Sequence, residues 1–343
     1  MLVTHISVIL PTFNRLQQLK SVIAALEEQS VAKQDFDVHV VCDGSTDGTL
    51  EYLQRLQTPL QLSFHYQANQ GAATARNLGL AQAQGRLILF IDDDIVPTPT
   101  LIEEHHKVHE LYASEYGDKL VVLGPMITPT DFAMKPWVRW EQDMLTKQYD
   151  AMLAEKWQPT ARQFYTGNAS VARRHLLEAG GFDASFRRAE DVELAYRLAR
   201  RGLHFVFHPQ AVGYHYAERT FKSWQQTPYQ YGRNDIVFAR DKGEQWLLPK
   251  ISTEFHSRHR LIRLLTKLCL SRRYTQTGAL RGLALLAAVG NLCAFPKVSS
   301  YAYSGMFNLY LYQGMADELG GRHAFYRLIK QPNLLIQNFS TGG

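Results

Sequence analysis

Short apolar runs alternate with amphipathic stretches over the first 95 positions. Ile6–Leu10 is an apolar run broken by Pro11, and Leu16, Leu19, Val22, Ile23 and Leu26 then recur at helical spacing. Val38–Cys42 reads as a second strand. It runs into DGSTDG, a cluster of turn and helix-start residues, after which Leu50, Leu53 and Leu56 mark the next helix. Leu60, Leu62, Phe64 and Tyr66 alternate as a third strand would. Ala72–Gln84 is Ala-rich, of high helix propensity, and closes at Gly85. Leu87–Ile91 is apolar without a break, the pattern of a strand covered on both faces. Strands and helices in this order call for a parallel sheet with its polar turns on one edge.

The fourth strand runs directly into Asp92, Asp93 and Asp94. Three adjacent carboxylates repel one another, so something positive is expected among them, with a hard divalent cation carrying phosphate oxygens the leading candidate. The competing reading is a polar turn in which one Asp caps a helix near Thr100. Beyond Pro97 the pattern loosens. Leu120–Gly124 reads as a strand, and Ala133–Trp157, rich in Trp, Met and charge, as a flexible loop or helix on an acceptor side. TGNAS at 166–170 precedes VARRHLLEAGGFD, read as a short helix stopped by Gly180 and Gly181. In AEDVELAYRLARRG at 189–202 acid comes first and base last, which suits a helix dipole. His204–Pro209 and Val212–Tyr216 read as strands, and the chain after about 245 as mostly helical.

A length of 343 residues fits one large α/β domain with an appendage, divided here as 1–245 and 246–343. The net charge of +5 is uneven: from Lys250 onward 12 Lys and Arg face 3 Asp and Glu, so an anionic surface suits the tail better than the body. Leu261, Leu264, Leu265 and Leu268 form an apolar stripe with Arg260, Arg263 and Lys267 around it. Such a helix either lies on an anionic membrane or packs its stripe on the body. Three cysteines without paired spacing suggest a reducing compartment. A signal peptide is not expected, nor a membrane span, because Gly282–Phe295 is too short and Val298–Ala316 too polar. The expected location is cytoplasmic, or peripheral on the cytoplasmic face of the membrane. GxGxxG is absent.

Taken together, ISVILPTFNR at 6–15, CDGSTDGT at 42–49, NQGAATARNLGL at 69–80, FIDDD at 90–94, TGNASVARR at 166–174, GGFD at 180–183, AEDVELAYRLARRG at 189–202 and His215 resemble the family 2 glycosyltransferases. They follow that family's order and spacing over about residues 5–240. One departure is Cys42, where many relatives carry an Asp before Asp43. The resemblance implies a GT-A fold: Rossmann-like, with a mostly parallel sheet flanked by helices, here followed by a C-terminal helical appendage. It implies an inverting enzyme that moves a sugar from a nucleotide sugar, with UDP expected, to a hydroxyl of a glycan or lipid-linked acceptor. Mn²⁺ or Mg²⁺ is the implied cofactor, and no nucleic-acid partner is expected.

Roles follow by the same resemblance. Pro11, Thr12 and Asn14 face the base and ribose, Asp43 accepts the N3–H of uracil, and Arg76 contacts the nucleotide. Asp94 binds the metal that bridges the diphosphate, while Asp92 and Asp93 hold the ribose or a metal-bound water. His215 is either a further metal or diphosphate ligand or a hydrogen-bonded core histidine. Asp191, with Glu190 beside it, is the expected general base, and the helix N-terminus should favour its ionised form. Trp137 and Trp140 stack on an acceptor or serve as buried anchors. Two other classes fit less well. A nucleotidyltransferase would want a Gly-rich, basic phosphate loop after the first strand, and a non-catalytic carbohydrate-binding scaffold would be expected to have lost Asp94 or Asp191.

Overall fold

A computed structural model of the chain describes residues 5–334 and 336. The strands are β1 (Ile6–Thr12), β2 (Phe36–Asp43), β3 (Gln61–Gln67), β4 (Leu87–Ile91), β5 (Ile95–Pro97), β6 (Leu120–Leu123), β7 (Met126–Ile127), β8 (Asn168–Ala172), β9 (His204–Phe207) and β10 (Gly213–His215). Seven of them form one sheet in the order β3-β2-β1-β4-β8-β6-β9, and β5-β10-β7 form a second, smaller one. The seven-stranded sheet is mostly parallel: β8 runs antiparallel to both its neighbours, and every other pairing is parallel. The uninterrupted apolar runs occupy the middle of it. Val8, Leu10, Val38, Val40, Leu89 and Ile91 are buried in one core with Leu19, Val22, Ile23 and Leu26 of the helix Leu16–Glu27. Each such side chain contributes roughly 1.5–3 kcal/mol by leaving water.

One sequence expectation changes and two are sharpened. The expected third strand is present as β3, at the edge of the sheet, where Leu62 packs against the core while Phe64 and Tyr66 stay exposed. Val171 and Ala172 finish β8 rather than opening a helix, which starts only at Arg173. Small side chains in Asn168-Ala169-Ser170 let that strand slot between β4 and β6, a pairing local periodicity does not encode. The stretch read as loop or helix is a helix, Pro136–Leu153.

The chain divides into two compact units. The first comprises the residues through Ala133 with Gln142–Ala217, and the second Met134–Glu141 with the chain from Glu218 onward. The division falls before 245 because the helix Phe221–Asp241 packs along Pro296–Glu318, inside the second unit. Those two helices meet through a reciprocal pair of glycines. A Cβ on Gly232 would lie 2.0 Å from the Leu311 carbonyl oxygen, and one on Gly314 would lie 2.0 Å from that of Tyr229. Backbone cannot yield as a side chain can, so Gly232→Ala is expected to cost about 3 kcal/mol in denaturant unfolding. Helix propensity alone would make it stabilising by roughly 1 kcal/mol, so a variant as stable as wild type would mean the helices do not touch there. Among the described residues no helix is long and apolar enough to cross a membrane.

Candidate active site

β1 and β4 are neighbours in register, Ile6 opposite Leu87 through Ile9 opposite Phe90, so both strands deliver their ends to one edge of the sheet. Pro11 and Thr12 close β1 opposite Val41 and Cys42 of β2, with Thr12 buried. Asn14 follows at φ +53°, a left-handed conformation that Asn tolerates better than most residues. Its side-chain oxygen accepts from the Thr46 amide at 2.7 Å, and its own amide donates to Ser45 Oγ at 3.0 Å. Asp47 in turn accepts from the Leu16 amide at 2.9 Å. The loops after β1 and β2 are thus laced together, and Arg15 is fixed between them.

Arg15 is the residue that sequence reasoning missed. Its Nη1 donates to Asp93 Oδ1 at 2.8 Å and to Asp94 Oδ2 at 2.6 Å, so a guanidinium bridges two of the three carboxylates. Asp43 ends β2 with three donors on its carboxylate: Gln67 Nε2 at 2.7 Å and the amides of Gln70 and Gly71 at 2.8 and 2.9 Å. It therefore also builds the turn that launches the helix Ala72–Gln82.

That helix carries Arg76, which is buried. Its Nη2 donates to Asp92 at 2.7 Å and its Nη1 to Glu190 at 2.8 Å, and the guanidinium lies 5.7 Å from the Phe182 ring centroid. Asn77, one residue on, exchanges hydrogen bonds of 2.8 Å with both the amide and the carbonyl of Phe182. The GGFD motif thus presents a ring to Arg76. Gly167 opens TGNAS beside the same group, and a Cβ there would come within 3.2 Å of Asp92 Oδ2. The helix Glu190–Arg200 begins at Ala189, at φ +60° and with no side-chain cap. A non-glycine residue held there stores strain directly before Glu190 and Asp191.

His215 reaches the site through the small sheet. β10 pairs antiparallel with β5, His215 opposite Ile95, and the Tyr216 amide donates to the Asp94 carbonyl at 3.0 Å. This brings His215 Nε2 to 3.8 Å from Asp94 Oδ2. Among the described residues no set of three His, Cys, Asp or Glu is gathered tightly enough to hold a metal without further ligands.

The electrostatics are unbalanced. Among the described residues, Asp92, Asp93, Asp94, Glu190 and Asp191 gather around two guanidinium groups, those of Arg15 and Arg76. Burial tends to raise Asp94, but His215 and Arg15 outweigh it and hold that carboxyl well below its usual range. Burial lifts Asp93 to about 6, with Arg15 opposing and Asp94 adding to the rise. Asp191 is likewise raised well above the carboxylate range by burial and then by Glu190, against Arg76 and its own bond from the Val192 amide at 2.8 Å. This corrects the expectation that the helix N-terminus keeps it readily ionised: desolvation and a like charge exceed the dipole. Trp137 and Trp140 belong to the second unit. Trp137 donates its ring N–H to the Arg219 carbonyl at 3.0 Å, and Trp140 is buried among Trp224, Tyr303 and Phe307, as an anchor would be.

The model of glycosyl transferase family 2 matches residues 7–181. Validoxylamine A glucosyltransferase of Streptomyces hygroscopicus subsp. jinggangensis is 28% identical over 222 residues, which cover 58% of this chain and 52% of that protein. Chondroitin synthase of Escherichia coli is 25% identical over 292 residues, covering 76% of this chain and 40% of that one. The chain spans about half the length of relatives such as these. Among solved structures, the mannosyltransferase PcManGT from Pyrobaculum calidifontis in complex with GDP-Man and Mn²⁺ matches with a TM-score of 0.57 at 18% identity, over 92% of this chain and 87% of that one. Staphylococcus aureus TarS 1-349 in complex with UDP-GlcNAc matches with a TM-score of 0.54 at 19% identity, over 93% of each chain. These likenesses establish the GT-A fold. Because the family model covers half of the chain, including β1, β2 and the three aspartates after β4, the chain belongs to glycosyl transferase family 2.

Proposed function

We propose that the protein is an inverting, metal-dependent glycosyltransferase that moves a sugar from a UDP-sugar to a hydroxyl of a glycan or lipid-linked acceptor. The observation that carries this reading is the excess of carboxylates at the C-terminal edge of the sheet, where open α/β sheets bind ligands. The donor set fits a hard cation: Asp94 is held as a carboxylate, His215 stands 3.8 Å from it, and diphosphate oxygens would complete the shell. Asp94 and His215 are the assigned ligands. When bound, Mn²⁺ or Mg²⁺ supplies Lewis-acid neutralisation of the departing nucleoside diphosphate.

The chain's own residues do the rest. Pro11, Thr12, Asn14 and Asp43 take the base and ribose, with Asp92 and Asp93 on the ribose side. Arg15 and Arg76 keep guanidinium groups beside the diphosphate, where charge-assisted hydrogen bonds are strongest. Asp191 removes the proton of the attacking hydroxyl, with Glu190 setting its basicity. Attack opposite the leaving group inverts the anomeric centre, so an α-linked donor gives a β-linked product. The names of the relatives support sugar transfer, and the UDP-GlcNAc and GDP-Man complexes of the neighbours support a nucleotide sugar as donor. The reading carries with it a cytoplasmic location and contact of the basic C-terminal region with an anionic membrane surface.

Thermal unfolding tests the donor. UDP or a UDP-sugar at 100 times its Kd should stabilise the protein by about 2.7 kcal/mol, a rise of several degrees in Tm. The rise should shrink when Mn²⁺ is replaced by a chelator. If no UDP compound shifts Tm in the presence of Mn²⁺ while GDP does, the donor assignment is wrong; if no nucleotide does, the site assignment is.

A further inference from the structure

In the second unit, the helix Arg260–Cys269 turns the wrong way for a helix that packs its apolar stripe. Leu261, Leu264 and Leu268, at i, i+3 and i+7, are 50–67% exposed, while Thr266 and Cys269 are buried. Three of the four stripe leucines are therefore turned to the outside of their own unit, while Leu265 is half-buried beside Gly305. Beside it opens a groove of about 260 Å³ lined by Phe255, His256, Arg260, Arg263, Leu264, Lys267 and Tyr326. Two polar atoms of lining residues, Arg263 Nε and Tyr326 Oη, are buried, and neither has a hydrogen-bond partner among the described residues. The Arg322 guanidinium lies 5.4 Å from the Tyr326 ring centroid, adding a further cation nearby. Buried donors without acceptors are costly, and an anion in the groove would relieve both.

The surrounding charge is mostly positive, with Glu254 just before and Asp317 and Glu318 just after the stretch that lines the groove. From Phe255 to Ala316 the chain carries eight Lys and Arg and no Asp or Glu. A second copy of the chain would bring like charges together, whereas an anionic partner would not. We propose that this groove is a binding site for the phosphate of an anionic phospholipid headgroup, with the exposed leucines entering the acyl boundary beside it. Arg263 and Tyr326 donate to the phosphate oxygens, Arg260 and Lys267 supply the rim charge, and Leu264 joins groove to stripe. The leucines fit the lipid source rather than free phosphate, since a soluble anion has no use for an exposed apolar edge. This rests on the membrane contact proposed above and gives it a specific site.

The test is co-sedimentation of the whole protein with vesicles of phosphatidylcholine alone or with phosphatidylglycerol. Binding is expected only to the anionic vesicles and should weaken with salt. Arg281→Gln, an exposed residue of the same basic region outside the groove, should lower partition roughly fivefold, as generic loss of one charge does. Arg263→Gln should lower it on the order of fiftyfold, and Lys267→Gln, whose side chain is exposed and not part of the packing, should also exceed the Arg281 control. Groove variants that match that control would overturn the site and leave the membrane reading intact. Wild-type protein that ignores anionic vesicles would overturn both. A Tm rise with inorganic phosphate at constant ionic strength, lost in Lys267→Gln and unaccompanied by vesicle binding, would reassign the groove to a soluble phosphate. Lipid-independent self-association that Leu264→Asn abolishes would reassign the stripe to a second copy.

Discussion

Replacing Asp191 by Asn is expected to leave donor binding in place and to lower turnover by roughly 10²–10⁴-fold, the usual contribution of a positioned general base. Asn keeps the shape and can still accept from the Val192 amide, so what is lost is the proton acceptor. Kinetics at saturating donor, with Kd for UDP measured separately, check both halves; wild-type turnover would refute the assignment. The pH profile adds a sign. A base acts as the carboxylate, so activity falls as pH drops through its pKa, and burial with Glu190 alongside moves that acid limb above that of an ordinary aspartate. Glu190→Gln removes the like charge and should shift the limb to lower pH. Stability runs the other way. A raised carboxyl pKa means that the native state binds the proton more tightly, so stability is lost as pH rises from the unfolded pKa to the folded one. Asp191→Asn should therefore melt no lower than wild type at neutral pH while being nearly inactive.

That signature separates a catalytic carboxylate from a capping one. Loss of a helix cap costs about 1 kcal/mol and would lower Tm. Here the helix starts at Ala189 in a strained left-handed conformation, with no capping side chain of its own.

The sheet and the outline of the site were legible because their signals are local. β1, β2 and β4 are continuous apolar runs, and each ends in polar residues that fall on the same edge once the strands lie parallel. What was not legible depends on pairing over distance. Arg15 lies 78 residues from Asp93, and only the adjacency of β1 and β4 makes them partners. Three repelling aspartates did call for a positive group, and the strand order implied by β1 and β4 was the signal that could have named this one. β8 reverses direction between β4 and β6, and β3 lies at an edge, and neither is written in the periodicity of its own residues. At Asp191 the helix dipole is one field among several, and desolvation, which depends on what the fold lays over the side chain, outweighs it. Gly232 and Gly314 are similarly silent in sequence until two helices cross at them.

Arg76→Met is expected to be the most destabilising single change at the site. Arg76 is 4% exposed and bridges Asp92 and Glu190; the Met chain fills much of its volume but leaves both carboxylates without a cation. Removing one partner of a buried pair costs about 3–5 kcal/mol, chiefly for the stranded charge. Asp92 is the more open of the two, at 36% against 12% for Glu190, so water shields it and the cost belongs mainly to Glu190, toward the lower end of that range. For a unit of about 200 residues this is a drop on the order of 10 °C in Tm. The loss should shrink as pH falls, because protonating the stranded carboxylates removes the charge that Arg76 had balanced. Arg76→Lys keeps the charge but not the fork that spans two acceptors, so it should recover only part of the stability. Combining Arg76→Met with Glu190→Gln should recover more, through a positive coupling in the double-mutant cycle. If that double variant is no more stable than Arg76→Met alone, the cost comes from lost packing against Phe182 rather than from unbalanced charge.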